Sequence, residues 1–504
     1  MPLIQRPFDP PERRDTRPET RPADALPTTP YSVPVSGRSN AAARSMLRRL
    51  VQGEDPPTQA MTVVERLAGS PYADPAVYVA GPDANARKAL DFALDLAEAM
   101  FRFGAGALQV ETSIIAVMAA FGLDGVEVDI TNQSVVINYS TKDQTPTTVL
   151  RVVRSWTDNY AGLTNIHRLV SDIAAGGVSR TEAVQRLDDI LRRPKPFPRW
   201  MVTAAFGVFS AAIVGVVGGT PLGSLIGLVS CILIDLVSRK LGQWRVPEVF
   251  AVSISAGIVT FIAMFVWWLD APVAPALVVV GGILLLLPTG RLVSATQDAI
   301  NGFPVTAAGR YLSAGLVFAA LVAGIAVALI AGTALGVPEL DVLESSGSQY
   351  PWPVVCILVF VAVAMICIAE QTAPKMIIPT SLVAVAGYLV FISATATGVG
   401  YRLAPALAAI VIGALARVVA LRMRATQLVV AVPALLFLYP GLAIFRAMYD
   451  LTIEAEVVST GVVGLFNAST VVLGIAVGVV LGDNLVRPFT RRFSSDEQQR
   501  NRRR

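Results

Sequence analysis

Ten apolar runs beyond Pro198 constrain this chain more than any other feature, because each needs a solvent other than water. They cover about residues 201–218, 221–238, 249–269, 274–294, 310–333, 353–370, 377–397, 403–421, 427–447 and 457–482. Most reach the ~20 residues that an α-helix needs to cross hydrocarbon. Backbone that enters lipid must also satisfy its own N–H and C=O groups, which a helix does. Composition agrees: 54% of residues are hydrophobic, 15% are charged and the mean hydropathy is +0.58, where a soluble protein has roughly a quarter of its residues charged. The expected fold is an α-helical polytopic membrane protein with ten transmembrane helices.

The runs repeat. Shifting the first five by 152 residues lands close to the last five, bringing Pro288 onto Pro440 and Asp298 onto Asp450. Because five is odd, the second set must enter the membrane from the opposite face. That predicts two inverted five-helix repeats, residues 198–335 and 350–485. Loop charge sets the orientation. With residue 200 in the cytoplasm, sixteen Lys and Arg fall in inside segments and only Arg402 and Arg446 outside, which obeys the positive-inside rule. Both termini are therefore expected in the cytoplasm and the chain in the cell (inner) membrane. The net charge of +4 reads as a topology signal between apolar runs, and no nucleic-acid partner is expected.

The flanks are polar. Residues 1–85 hold eleven prolines within the first 57 positions and are expected as a disordered Pro-rich tail. Within it, Ala41–Leu50 reads either as a short basic amphipathic helix on anionic lipid or as solvated chain. No apolar h-region precedes it, so no cleavable signal peptide is expected. Residues 86–197 read as a small cytoplasmic α+β domain. Helical spacing runs from Asn85 to a Gly break at Gly104 and Gly106, and resumes through Gly122. Three β-like runs follow, Val126–Thr131, Ser134–Ser140 and Thr147–Ser155, then two polar helices over Leu163–Ala175 and Thr181–Arg193. Residues 486–504 read as a basic cytoplasmic tail. Cys231, Cys356 and Cys367 all fall in apolar runs without metal-ligand spacing and read as buried small residues.

Candidate chemistry is sparse. Glu111 shares a helix face with Leu108, Ile115 and Met118, so its carboxylate needs a partner such as Arg151 or Arg154, or serves chemistry. His167, the one histidine, lies on a polar helix and reads as a surface residue. Asp235, Glu370 and Asp483 sit at helix ends placed in the cytoplasm. They are proton-coupling or gating candidates, or else carboxylates reaching interfacial water. Pro288, Pro433 and Pro440 remove backbone donors inside apolar runs and so expose carbonyls. Asn467, Ser469 and Thr470, in the tenth run, supply either ligand or interhelical hydrogen bonds. With no charge at the midplane, a zwitterion or neutral polar solute held by helix ends is the expected cargo. No phosphate-binding loop G-x-x-x-x-G-K-[ST] occurs, nor H-E-x-x-H or G-x-S-x-G, so the expected transporter is secondary, without cofactor or metal.

Short motifs in a fixed order sharpen this. They are G-A-G-A-L-Q-V-E-T (104–112), A-A-F-G (119–122), G-G-V-S-R-T-E-A (176–183), V-G-G-T (217–220), P-T-G with D-A-I-N-G (288–302) and Y-P-G (439–441). Together with the paired five-helix pattern, they make residues 85–485 resemble the threonine/serine exporter family. That resemblance implies proton-motive-force-driven export of small hydroxylated amino acids, while related split proteins are linked to dicarboxylate export. By motif position, Glu111 looks like the family's acidic residue in the soluble domain, and Asp298 and Gly302 like its D-x-x-x-G. The first break reads Pro288-Thr289-Gly290 where the second has a contiguous Pro440-Gly441. The expected substrate-binding residues are Pro288, Gly290, Asp298, Asn301, Pro440, Gly441 and Asn467, with Asp298 on the cytoplasmic approach. The expected partners are a small polar amino acid, protons and lipid, and assembly into a homo-oligomer is left open. Two alternatives stand beside this reading: a dicarboxylate or other small-metabolite exporter with Arg310 or Arg417 facing inward, and a membrane-anchored enzyme using Glu111.

Overall fold

The computed structural model describes residues 84–140, 146–153, 157, 159–337, 349–453 and 458–502. The Pro-rich segment through residue 83, with Ala41–Leu50, lies outside the described residues, as does Arg154. Ahead of the apolar helices come α1 (Ala84–Arg102), α2 (Ala107–Ala120), β1 (Val126–Thr131), β2 (Ser134–Tyr139), β3 (Thr147–Val152), α3 (Tyr160–Ala174) and α4 (Arg180–Arg192). Helix α1 gives way to α2 at Gly104, whose φ of 91° suits a residue without Cβ. The strands form an antiparallel sheet in the order β1-β2-β3, with Val126 opposite Tyr139 and Ser134 opposite Val152. Asn132, at φ 53°, makes the two-residue β1–β2 turn with Gln133. Ser179 caps α4 by accepting from the Glu182 N–H at 3.3 Å.

Eight further helices are long and apolar enough to cross a membrane. They are α5 (Arg199–Val216), α6 (Pro221–Gln243), α7 (Glu248–Trp268), α10 (Pro304–Ala334), α11 (Trp352–Ala369), α12 (Pro374–Ala396), α13 (Ala404–Met423) and α16 (Val458–Arg502). Two bent pairs add to them: α8 (Pro275–Ile283) with α9 (Thr289–Ile300), and α14 (Gln427–Leu435) with α15 (Gly441–Thr452). This is a polytopic membrane protein of eight spans, or ten when each bent pair counts as one. Helix α16 runs on past the expected end of the tenth run, through Pro488, and Asp483 pairs with Arg487 one turn on at 2.9 Å.

Small residues let these helices touch backbone to backbone, the way association proceeds where lipid removes the hydrophobic drive. Gly324 of α10 lies against the Ser253 carbonyl of α7, while Gly413 of α13 and Gly482 of α16 lie against Val479 and Ile410 of each other's helices. Contacts at the ends of α5 and α11 give their relative direction. Phe197, just before α5, exchanges hydrogen bonds with the Gln371 side chain just after α11, at 3.0 and 3.1 Å. At the other end the Tyr350 hydroxyl, just before α11, donates to Gly219 O at 3.0 Å. Helices α5 and α11 therefore run in opposite directions. The segment before α5 packs at the end marked by Gln371, where Arg168 donates to Met423 O at 3.0 Å and the Ala161 N–H to Gln371 O at 2.9 Å.

A candidate substrate cavity at a broken helix

The two bent pairs share one geometry. In each, an α-helix tightens into one 3₁₀ turn (Leu284–Leu286 and Leu436–Leu438), then breaks at a proline and restarts. Pro288 has φ −79° and ψ 54°, Pro440 φ −80° and ψ 56°, and the bends are 52° and 50°. The Thr289 N–H returns to Leu287 O, and the Gly441 N–H to Tyr439 O, both at 2.8 Å, closing an inverse γ-turn at each proline. Proline has no N–H, so the carbonyl four residues earlier, that of Leu284, loses its helical donor. The restarted helix α9 meanwhile presents first-turn N–H groups that no helical carbonyl reaches. A carbonyl end and an amide end thus face each other across a few residues in the apolar interior.

A cavity of ≈ 300 Å³ opens at the first of these breaks, lined by Leu285 through Arg291 and by Ser294. That volume is at the lower end of the roughly 300–1,000 Å³ found for small-molecule sites. Phe103, Gly104, Thr157 and Tyr160 reach it from the segment before α5, and Val432 from α14. Its charges are Glu248, Arg291, Arg310 and Glu370, of both signs. Arg291 holds both carboxylate oxygens of Glu248 at 2.7 Å, and Arg310 meets Asp298 at 2.7 Å. The Asp298–Arg310 pair is almost wholly buried, with side chains 1% and 5% exposed. Asp298 also accepts the Ala107 N–H at 2.9 Å and Arg310 donates to Ala105 O at 3.1 Å, so the pair fastens the α1–α2 loop onto α9 and α10. Thr306 adds to this by accepting the Asn132 N–H at 3.0 Å and donating to Ile130 O at 2.9 Å.

Of the residues singled out from sequence, Pro288, Gly290, Arg310 and Glu370 line this cavity. Asp298 stands behind it, presenting Arg310, and Asn301 ends α9. Pro440 and Gly441 sit at the other break, where a methyl group on Gly441 would stand 3.1 Å from Val280 and 3.4 Å from Leu284. Asn467 is half-buried on α16. Its neighbours Ser469 and Thr470 are exposed and donate back to Leu465 O and Phe466 O, each at 2.9 Å. Asp235 is held by Thr203 at 2.7 Å and Arg239 at 2.8 Å. Asp483 lies between Arg417 at 3.0 Å and Arg487 at 2.9 Å. Glu111 is buried on α2, while Arg151, one of its expected partners, is taken by Asp95 and Glu98, which hold its pKa above the usual guanidinium value.

His167 needs a correction: it is buried at 6% exposure, not on the surface. His167 lies one turn from Leu163 and one turn from Val170, at the edge of the apolar stripe, and α3 packs against α1, α2 and α4 at once, which encloses that edge. Burial, with Arg168 adjoining, pushes the imidazole down to about 4. Sequence reasoning missed Tyr160, Glu248 and Arg291 as lining residues. Glu248 opens one apolar run, and Arg291 follows the proline break, so both had a positional signal; Tyr160 had none.

Two family profiles cover most of the chain: one described as a putative threonine/serine exporter matches residues 91–331, and one described as a threonine/serine exporter matches residues 355–484. The probable threonine/serine exporter of Mycobacterium tuberculosis is 33% identical over 414 residues, covering 81% of this chain and 78% of the relative. The threonine/serine exporter of Corynebacterium glutamicum is 26% identical over 413 residues, covering 80% and 83%. No solved structure matches the chain significantly. With broken helices, cavity and ordered motifs on one chain, and a relative this similar over most of both lengths, the protein belongs to the threonine/serine exporter family.

Proposed function

We propose that the protein is a secondary transporter exporting threonine, serine or a similar small polar amino acid across the cell (inner) membrane, driven by the proton motive force. The observation that carries this reading is the cavity at the Pro288 break, where a carbonyl end and an amide end meet among charges of both signs. An amino acid is a zwitterion, and its carboxylate suits the first turn of α9, with Gly290 allowing close approach. Its ammonium group suits the carbonyls freed before Pro288 and the carboxylate of Glu370. Of Asp235, Glu370 and Asp483, Glu370 is the one that lines the cavity, and it is the candidate for proton coupling.

In this reading residues 86–197 are a cytoplasmic α+β domain, 198–335 and 350–485 are inverted repeats, and both termini are cytoplasmic. The opposed directions of α5 and α11 support the inversion, as do breaks that recur 152 residues apart with the same dihedral angles. Packing of Gly441 against Val280 and Leu284 fits a state in which the first break is open and the second closely packed. Alternating access would then close the first break and open the second.

A dicarboxylate reading draws on Arg310, a basic residue that does line the cavity. Its charge is already met by Asp298, which favours the zwitterion. The test is counterflow of labelled threonine and serine in proteoliposomes under an imposed pH gradient, with succinate as a parallel substrate. Gradient-dependent amino-acid flux is expected. Flux of succinate alone would favour the dicarboxylate reading, and no flux of any small amino acid would end the proposal.

A further inference from the structure

We infer that the substrate site is completed from outside the membrane helices, and that Tyr160, at the start of α3, is the residue that selects a hydroxylated side chain. The inference rests on the amino-acid reading of the cavity. Tyr160 lines that cavity and is 9% exposed. Its hydroxyl stands at the first turn of α9: a methyl group on Gly290 would lie 3.7 Å from Tyr160 Oη. One edge of the ring adjoins Gly104, where a methyl group would lie 3.9 Å from Tyr160 Cε1.

The backbone that carries the ring is held from several directions. The Tyr160 N–H donates to Glu370 O at 3.2 Å and the Ala161 N–H to Gln371 O at 2.9 Å. Asn159 caps α3 by accepting from the Gly162 N–H at 2.9 Å. Thr164 donates back to Tyr160 O at 2.8 Å. The start of α3 is thus fixed on the α11–α12 turn, and Glu370 in that turn also lines the cavity. Tyr160 is therefore placed by the membrane part even though it belongs to the preceding segment.

With a substrate carboxylate on the first turn of α9, the side-chain hydroxyl of serine or threonine lies only two bonds from the α-carbon, within reach of a group beside Gly290. Thr157, another hydroxyl in the lining, accepts from the Lys195 ammonium at 3.0 Å. A hydrogen-bonding group fixed in a partly dry site rejects analogues lacking the matching hydroxyl, whereas an apolar wall discriminates weakly. Tyr160 supplies such a group from across the cavity, between the apolar Phe103, Leu286 and Val432 and facing the α9 turn that carries Thr289 and Ser294.

The test is equilibrium binding of labelled L-serine and L-alanine to the full-length protein in lipid nanodiscs. Wild type is expected to prefer serine at least ten-fold. Tyr160→Phe should cut that ratio about five-fold or more by weakening serine while leaving alanine unchanged, and Tyr160→His should recover part of it. If Tyr160→Phe does not fold, Gly290→Ala replaces it: its methyl group enters the space beside Tyr160 Oη and should weaken serine more than alanine. An unchanged ratio in Tyr160→Phe, or an equal loss for both ligands in Gly290→Ala, with wild-type serine binding intact, overturns the role of Tyr160 alone. Failure of wild type to bind either amino acid overturns the amino-acid reading and this inference with it.

Discussion

The buried pair of Asp298 and Arg310 shows what one residue does for the site without lining it. Each charge has given up water, and each is compensated by the other and by a backbone group of the α1–α2 loop. Removing one partner leaves an uncompensated buried charge, which typically costs about 3–5 kcal/mol. Asp298→Asn should therefore lower the thermal unfolding midpoint of the purified protein markedly. Asp298→Asn with Arg310→Gln, which keeps hydrogen-bonding groups but no charge, should recover much of the loss; a double variant no better than the single would remove the pair from this role. His167 makes a pH prediction. Its folded-state pKa of about 4 lies below the ~6.5 of an exposed histidine. The stability it contributes is thus fully present above pH ~6.5 and is lost as pH falls towards 4. Between about pH 7.5 and pH 5 the loss is of order 2 kcal/mol. His167→Gln should flatten that part of the stability profile, measured by thermal unfolding at both pH values, and an unchanged slope would assign the acid sensitivity elsewhere.

At the scale of elements, glycines decide how closely helices approach, and two on one helix make opposite predictions. On α10, a Cβ at Gly324 would press into the Ser253 carbonyl of α7, while at Gly315 nothing lies within 4 Å. Gly324→Ala should force α7 and α10 apart, at a cost of about 1–3 kcal/mol or more, and Gly315→Ala should leave folded yield and melting unchanged. Comparing the two by fluorescence-detected gel filtration after heating checks both, and equal behaviour would mean that the close approach does not matter for stability. Most elements were legible in the residues themselves. Alternation from Val126 to Thr131 and Ser134 to Tyr139 announces strands, and proline with glycine at 288–290 and 440–441 announces the breaks. Less legible was how far the buried face of α3 extends: His167 stands at the edge of the stripe through Leu163 and Val170, and packing against α1, α2 and α4 carries burial past that edge.

For the whole molecule, the sequence repeat of 152 residues was plain, but the fastening of the leading segment to the membrane helices was not. Ala105 and Ala107 act through a carbonyl and an N–H, which every residue but proline owns, so no residue type marks the contact. The same is true of Tyr160, whose place depends on backbone bonds to residues more than two hundred positions away. What the assembled molecule adds is a mechanical prediction. The bent pairs cross so that Gly290 faces Val432 and Gly441 faces Val280, and the Gln297 amide donates to the Gln427 side chain at 2.9 Å. If export requires one bent pair to move against the other, a tether between them must stop it, and a tether inside one half must not. Gln297→Cys with Gln427→Cys provides the first. Ser238→Cys with Ser255→Cys, whose wild-type hydroxyls are 2.9 Å apart on α6 and α7, provides the second. In a background with Cys231, Cys356 and Cys367 replaced by alanine, a short thiol-specific cross-linker should abolish threonine counterflow through the first pair, reversibly on reduction, and spare the second. Flux that survives a quantitative Gln297–Gln427 cross-link would mean that the broken helices translocate substrate without moving past each other.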